Sequence, residues 1–135
     1  MTKQPNSILL TIRKLMVGFL LRCPNCEHGA MFTGLFNMNP VCPHCGVRFE
    51  RLSGESVGGM FINLGLAEVL SLGGFFISQL LLKPPILAQV IFWVSFNILF
   101  VVFFYRHSRA MWVAIAYLAN GLYTDEEYAE KTGQR

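Results

Sequence analysis

The four cysteines of the chain stand as two pairs, Cys23-Pro24-Asn25-Cys26 and Cys42-Pro43-His44-Cys45, the second followed by Gly46. Two CxxC pairs about fifteen residues apart have the spacing of a structural zinc site of the ribbon type. Two intervening residues let both sulfurs of a pair reach one ion. Pro24 and Pro43 stiffen each turn by fixing one backbone angle. Gly46 can take the left-handed conformation that turns backbone amides toward thiolate sulfur, whereas the first pair is followed by Glu27-His28-Gly29. Four sulfurs on one Zn2+ close the coordination sphere, which makes the metal structural rather than catalytic. The centre would carry a formal charge of about −2, which Arg22, Arg48 and Arg51 could offset. Two alternatives stay open: a pair of disulfides or a redox dithiol, which wants an oxidising compartment, and an iron site or labile metal relay. His28 and His44 lie close enough to replace a cysteine but read as solvent-facing.

Around these pairs the chain must supply short strands. Residues 30–36 read as a strand interrupted at Gly34, and residues 47–52 alternate apolar and charged side chains, the period of a half-buried strand. A ribbon this small cannot fold on its own apolar area, so the metal would supply much of its folding energy.

The rest of the chain holds this knot against a membrane. Of 135 residues, 53% are hydrophobic and only 14% charged, against about 25% charged in soluble domains. The expected fold is therefore membrane α-helical: a small cytoplasmic four-cysteine zinc ribbon, then a two-helix transmembrane hairpin, with interfacial helices flanking them. Residues 1–22 form an amphipathic N-terminal helix, with Thr11, Lys14, Gly18 and Arg22 on one side and apolar residues on the other. A helix lying in the headgroups, or one packed on the ribbon, satisfies that pattern. Arg13 and Lys14 split the apolar run, and no small-residue cleavage site follows, so it is not a signal peptide. The ribbon occupies 23–56, ending in the glycine-rich linker 53–59. The hairpin, 57–105, has spans at about 57–82 and 86–105, broken by Lys83-Pro84-Pro85. In 106–135, Arg106 and Arg109 mark the exit into headgroups. A separate helix carrying Trp112 and Tyr117 then lies on the leaflet up to Asn120-Gly121. A capping box, Thr124-Asp125-Glu126-Glu127, opens a short acidic helix.

Basic residues set the orientation. The hairpin turn carries only Lys83, while Lys3, Arg13, Lys14, Arg22, Arg48, Arg51, Arg106 and Arg109 lie on the other side. Both termini and the ribbon are thus expected to face the cytoplasm across the inner membrane. That compartment is reducing, which favours metal-bound thiolates over disulfides.

Polar residues inside the spans need partners. Glu68 lies near the middle of the first span, and Gln89, Trp93 and Asn97 form a stripe on the second. Counting from the turn brings Asn97 near the level of Glu68 and predicts a hydrogen bond between them, or from Glu68 to a second copy or partner helix. Helix–helix glue, a partner contact and proton handling are the candidate roles. Patterns for catalysis are missing: no GxSxG, HExxH, P-loop or paired carboxylates. No small-molecule substrate suggests itself. A net charge of +3 spread along one membrane face does not form a phosphate-binding stripe, so nucleic acid is disfavoured.

Arg22-Cys23-Pro24-Asn25-Cys26, Phe32, Cys42-Pro43-His44-Cys45-Gly46 and Phe49-Glu50-Arg51, placed before a two-helix hairpin, resemble the bacterial family of small membrane proteins called domain of unknown function 983. The likeness runs from about Leu21 through the second span. Glu27 stands where the family has glycine, which implies a looser first knuckle. The resemblance brings no reaction with it; links of some members to respiratory-oxidase gene groups imply an assembly or maturation role by analogy. The leading expectation is a non-enzymatic membrane protein whose ribbon recruits a protein partner, in contact with lipid and with a partner or second copy through the hairpin. The alternative is a metal- or redox-linked assembly factor for a membrane complex such as a respiratory oxidase, and a nucleic-acid reader ranks last.

Overall fold

A computed structural model describes residues 8–50 and 57–132. Its helices are α1 (Ile8–Phe19), α2 (Val57–Leu81), α3 (Ile86–Asn120) and α4 (Asp125–Thr132). The segment 51–56, including Arg51 and most of the linker, lies outside the described residues, as do 1–7 and 133–135.

Helices α2 and α3 form an antiparallel pair. Contacts run in opposite directions along them: Gly58 faces Trp112, Asn63 bonds the Val101 carbonyl at 2.9 Å, and Gly74 faces Trp93. Both tryptophans sit directly on a glycine, where a Cβ would collide with the indole. Helix α2 stops where Lys83, at φ 47°, leads into Pro84-Pro85, and α3 starts at once because proline is suited to a helix N-terminus. Both helices are long and apolar enough to cross a bilayer, and only 11% and 6% of their most apolar stretches are buried by the chain itself. A soluble core helix would be covered; these expose Phe61, Val69, Phe76, Ile91, Phe92 and Phe103.

The second helix corrects one expectation. Instead of a span ending at 105 and a separate helix at 110–119, α3 is unbroken for 35 residues. No proline or glycine interrupts Ile86–Asn120, and Arg106–Arg109 is tolerated because the ribbon covers that face. The helix ends as expected at Gly121, φ 74°, whose N–H donates to the Tyr117 carbonyl at 2.8 Å.

The ribbon packs on the C-terminal half of α3. Cys23, Met31, Phe32, Cys42, Val47 and Phe49 share one buried cluster with Ala110 and Val113. Among the described residues, isolated antiparallel bridges stand in place of the two expected strands: Arg22 with Ala30, Phe32 with Met38, Val41 with Arg48. A further bridge joins Val47 to Thr124, and the Arg48 N–H donates to the Tyr123 carbonyl at 2.9 Å. The chain thus returns after α3 to pair with the ribbon, a closure that residues 121–124 do not announce. At the expected capping box, Thr124 N–H donates to the Glu127 carboxylate at 3.0 Å and Glu127 N–H to the Thr124 hydroxyl at 3.4 Å.

Helix α1 lies antiparallel to this half of α3. Phe19 meets Phe104 and His107, a Cβ on Gly18 would stand 2.7 Å from that of Ala114, and Lys14 sits over the Tyr117 ring. Its packed face is the polar one, with Lys14 and Gly18 buried. Its apolar face, Ile8, Leu9, Ile12 and Met16, is exposed. Of the two arrangements open from sequence, α1 therefore takes the one packed on the protein while keeping an apolar face outward.

Candidate metal centre

Each sulfur pair comes from a turn of the same build. In the first, the Glu27 N–H donates to the Cys23 carbonyl at 2.8 Å; in the second, the Gly46 N–H donates to the Cys42 carbonyl at 3.0 Å. Both closing residues are left-handed, Gly46 at φ 73° and Glu27 at φ 63°. The first knuckle is therefore not looser: Glu27 takes the conformation that glycine takes in the second. That conformation costs a residue with a Cβ roughly 1–2 kcal/mol. Two cations hold it there. Arg13 Nη2 lies 2.6 Å from one Glu27 oxygen and Lys14 Nζ 2.8 Å from the other, and Lys14 also donates to the Pro24 carbonyl at 2.7 Å. Hydrogen bonds from Lys14, then Arg13, hold the Glu27 carboxyl below its ordinary range.

The four sulfurs all lie within 4.8 Å of one another, with Cys23 and Cys45 Sγ 3.8 Å apart and Cys26 and Cys42 Sγ 3.7 Å apart. A regular tetrahedron of sulfurs about 2.3 Å from a central ion has edges of about 3.8 Å. The cysteines are free thiols, too far apart for disulfides, and form a cluster capable of holding a metal. The donor set and its spacing fit a tetrahedral thiolate metal, which rules against the pair-of-disulfides alternative in this conformation. Cys23 and Cys42 are buried, Cys26 and Cys45 partly exposed. Burial pushes the Cys23 and Cys42 thiols up. Burial also opposes ionisation of Cys26, but the amides of Gly29 and His28 outweigh it and bring that thiol to about 6.

Gly29 closes the back of the site. Its N–H points at Cys26 Sγ, 3.5 Å away, and a Cβ on it would collide with Cys42 Sγ. Gly29→Ala is expected to weaken metal retention by about 1–3 kcal/mol, measured by competition with a chromogenic chelator. His28 and His44 are exposed as expected, their rings stacked across the two knuckles at 5.5 Å.

The residues assigned from sequence to the membrane interface turn out to tie the ribbon to the helices. Lys14 is buried against the first knuckle, and Arg13 pairs with Glu27. Arg109 reaches Glu50 at 3.3 Å and the Tyr105 hydroxyl at 3.0 Å, while Arg106 lies over the Phe32 ring. Trp112 packs on Gly58. A second element stands beside each of them, unseen in a one-dimensional pattern; Lys14 turns inward to meet it, while Arg13 reaches Glu27 from the surface. The cation bonded to the knuckle backbone is thus Lys14; Arg22, expected to offset the thiolate charge, is exposed.

Among the polar residues of the long helices, Gln89 and Asn97 do bridge the pair. Gln89 Nε2 donates to the Phe75 carbonyl at 2.8 Å and to the Ser78 hydroxyl. Asn97 Nδ2 donates to the Ser71 hydroxyl at 2.7 Å, not to Glu68. Glu68 faces outward and is exposed. The expected Glu68–Asn97 bond is replaced because Ser71, one turn further along α2, stands opposite Asn97. Asn63, bonded across to Val101, is a bridging residue that the polar stripe on α3 alone did not reveal.

A family model described as Protein of unknown function (DUF983) matches residues 32–117, from the middle of the ribbon through most of α3. Helix α1 and the first cysteine pair precede the matched segment. No curated protein and no solved structure matches the chain.

Proposed function

The chain belongs to the DUF983 family of proteins of unknown function, and from that premise we propose a non-enzymatic protein of the bacterial inner membrane whose cytoplasmic zinc ribbon recruits a protein partner. The observation that carries this reading is the closed set of four sulfurs seated on α3, the same helix that would cross the bilayer. A four-thiolate ion keeps no open position for substrate, and its chemistry when bound is to fold the ribbon. Cys23, Cys26, Cys42 and Cys45 would hold it. Two long apolar helices left uncovered by the chain support insertion, and the basic side of the hairpin supports a cytoplasmic ribbon. The outward apolar face of α1 supports contact with the leaflet. Asn25, His28, Pro43 and His44 leave a polar, exposed tip for the partner.

The second reading, metal- or redox-linked assembly of a membrane complex, draws on one observation: Cys26 and Cys45 are only partly buried, so one sulfur of each pair is within reach of solvent. A thiolate so placed is open to oxidation and exchange. Metal that survives air exposure supports the structural role; loss under mild oxidation supports transfer.

The test is purification from membranes in mild detergent of the wild type and Cys42→Ser, with metal assayed on the same samples. The expected result is about one zinc per chain and a co-purifying protein in the wild type, both lost in the variant. A partner retained by the metal-free variant would overturn recruitment through the ribbon.

A further inference from the structure

Glu68 stands halfway along α2, inside the segment that would cross the bilayer, and takes part in no hydrogen bond or ion pair with any described residue. It lines an open groove between α2 and α3, together with Leu64, Leu72, Asn97, Ile98 and Val101. Asn97 and Ser71 are the other polar residues of this groove. Both hydrogens of the Asn97 amide are engaged, one by the Ser71 hydroxyl at 2.7 Å and one by the Trp93 carbonyl at 3.0 Å, while its Oδ1 accepts nothing from the described residues. The Ser71 hydroxyl is itself committed to the Ala67 carbonyl. The groove therefore presents a carboxyl and an unused amide oxygen, in an otherwise apolar wall.

An ionised carboxylate facing lipid is costly, and its neutral form carries an O–H that wants an acceptor. We propose that this groove is the contact surface of a homodimer, in which Glu68 of each copy donates to the Asn97 Oδ1 of the other. The proposal rests on the membrane reading above. What selects a second copy is self-complementarity: one patch holds both the donor and the acceptor. Two copies inserted with the same topology are related by a two-fold axis along the bilayer normal, an operation that leaves every residue at its own depth. Glu68 and Asn97 line one groove, Asn97 opposite Ser71 about one helical turn along α2 from Glu68, so the operation brings each copy's Glu68 to within about a turn of the neighbour's Asn97.

The test uses the full metal-loaded chain, labelled at its N-terminus with donor or acceptor dye and reconstituted into phosphatidylcholine–phosphatidylglycerol vesicles over a range of protein-to-lipid ratios. Flotation with the vesicles is scored first. The expected result is energy transfer that saturates at the level of a dimer. Glu68→Leu should shift the midpoint about tenfold toward higher protein density, the effect of losing two intramembrane hydrogen bonds. Glu68→Gln retains an N–H donor and should stay near wild type. A photo-cross-linker at Leu72 in cells should give a product of twice the chain's mass. Failure to float would overturn the membrane reading and the dimer with it. Flotation without transfer, or Glu68→Leu associating like wild type, would overturn the dimer alone. So would Glu68→Gln as weak as Glu68→Leu, or a cross-link to a different polypeptide.

Discussion

Replacing Cys23 with serine is expected to drop bound metal from about one ion per chain to near zero and to release the ribbon and α1 from α3 together. Cys23 is fully buried and is where the four-sulfur set joins the helix: it shares one buried cluster with Met31, Phe49, Ala110 and Val113. A serine oxygen there is a poorer zinc ligand, and without metal it is a buried hydroxyl among apolar neighbours. Structural zinc contributes about 10–16 kcal/mol of apparent binding energy in small domains, more than the few apolar residues of this ribbon can replace. Limited proteolysis with metal analysis checks the result. New cleavage should fall within residues 8–50, while the α2–α3 pair, held by its own hydrogen bonds, stays intact. Retained metal with an uncut ribbon would contradict the assignment of Cys23 as a ligand.

Glu27→Ala is expected to destabilise the docked ribbon by about 2 kcal/mol, a value between those of exposed and buried ion pairs. It leaves Lys14, whose side chain is only 9% exposed, with the Pro24 carbonyl as its remaining hydrogen-bond acceptor. It also keeps the left-handed strain at φ 63°. Glu27→Gly removes the same ion pairs but relieves that strain, and should recover about 1 kcal/mol. Denaturant titration of the three proteins at fixed metal concentration orders them. The pH dependence has a definite sign. The folded-state pKa of Glu27 is depressed below its ordinary 4.5, so its ion pairs contribute fully above about that pH. The contribution is lost as pH falls through the depressed value, and Glu27→Ala should lack this component. An alanine variant as stable as wild type would show that Lys14 finds equal solvation without Glu27.

The cysteine spacing made the candidate metal centre legible because CxxC turns are local: the four sulfurs lie on two short segments, and only the fold between them is long-range. The hairpin was legible for a similar reason, since Lys83-Pro84-Pro85 punctuates two apolar runs. What stayed hidden depends on the faces of elements far apart in the chain. Lys14 and Glu27 are thirteen residues apart, and nothing in either segment says that one buries against the other. Arg106 and Arg109 have the composition of headgroup ligands, and only the ribbon's placement turns them toward Phe32 and Glu50. The pairing of Tyr123 and Thr124 with the ribbon leaves no periodic signal, because it consists of one bridge. Glu68 stands out in the sequence as a carboxylate in an apolar run, but its outward direction follows from helix rotation, which Ser71 and Asn97 set.

The unbroken run of α3 has a mechanical consequence. At about 1.5 Å per residue its 35 residues make a rod of about 52 Å, while a hydrocarbon core is about 30 Å thick. In the proposed orientation some 20 Å of the rod stands clear of that core, with the cysteine knot fastened to its flank and α1 packed along it beside the knot. A ribbon on a glycine tether would sweep a hemisphere and meet partners at any angle. This one is a signpost, held at one height and one heading, so the proteins it can engage are those whose own docking faces pass at that altitude above the bilayer. Lengthening the loop between ribbon and α2 would leave that altitude unchanged; adding a turn to α3 would raise it.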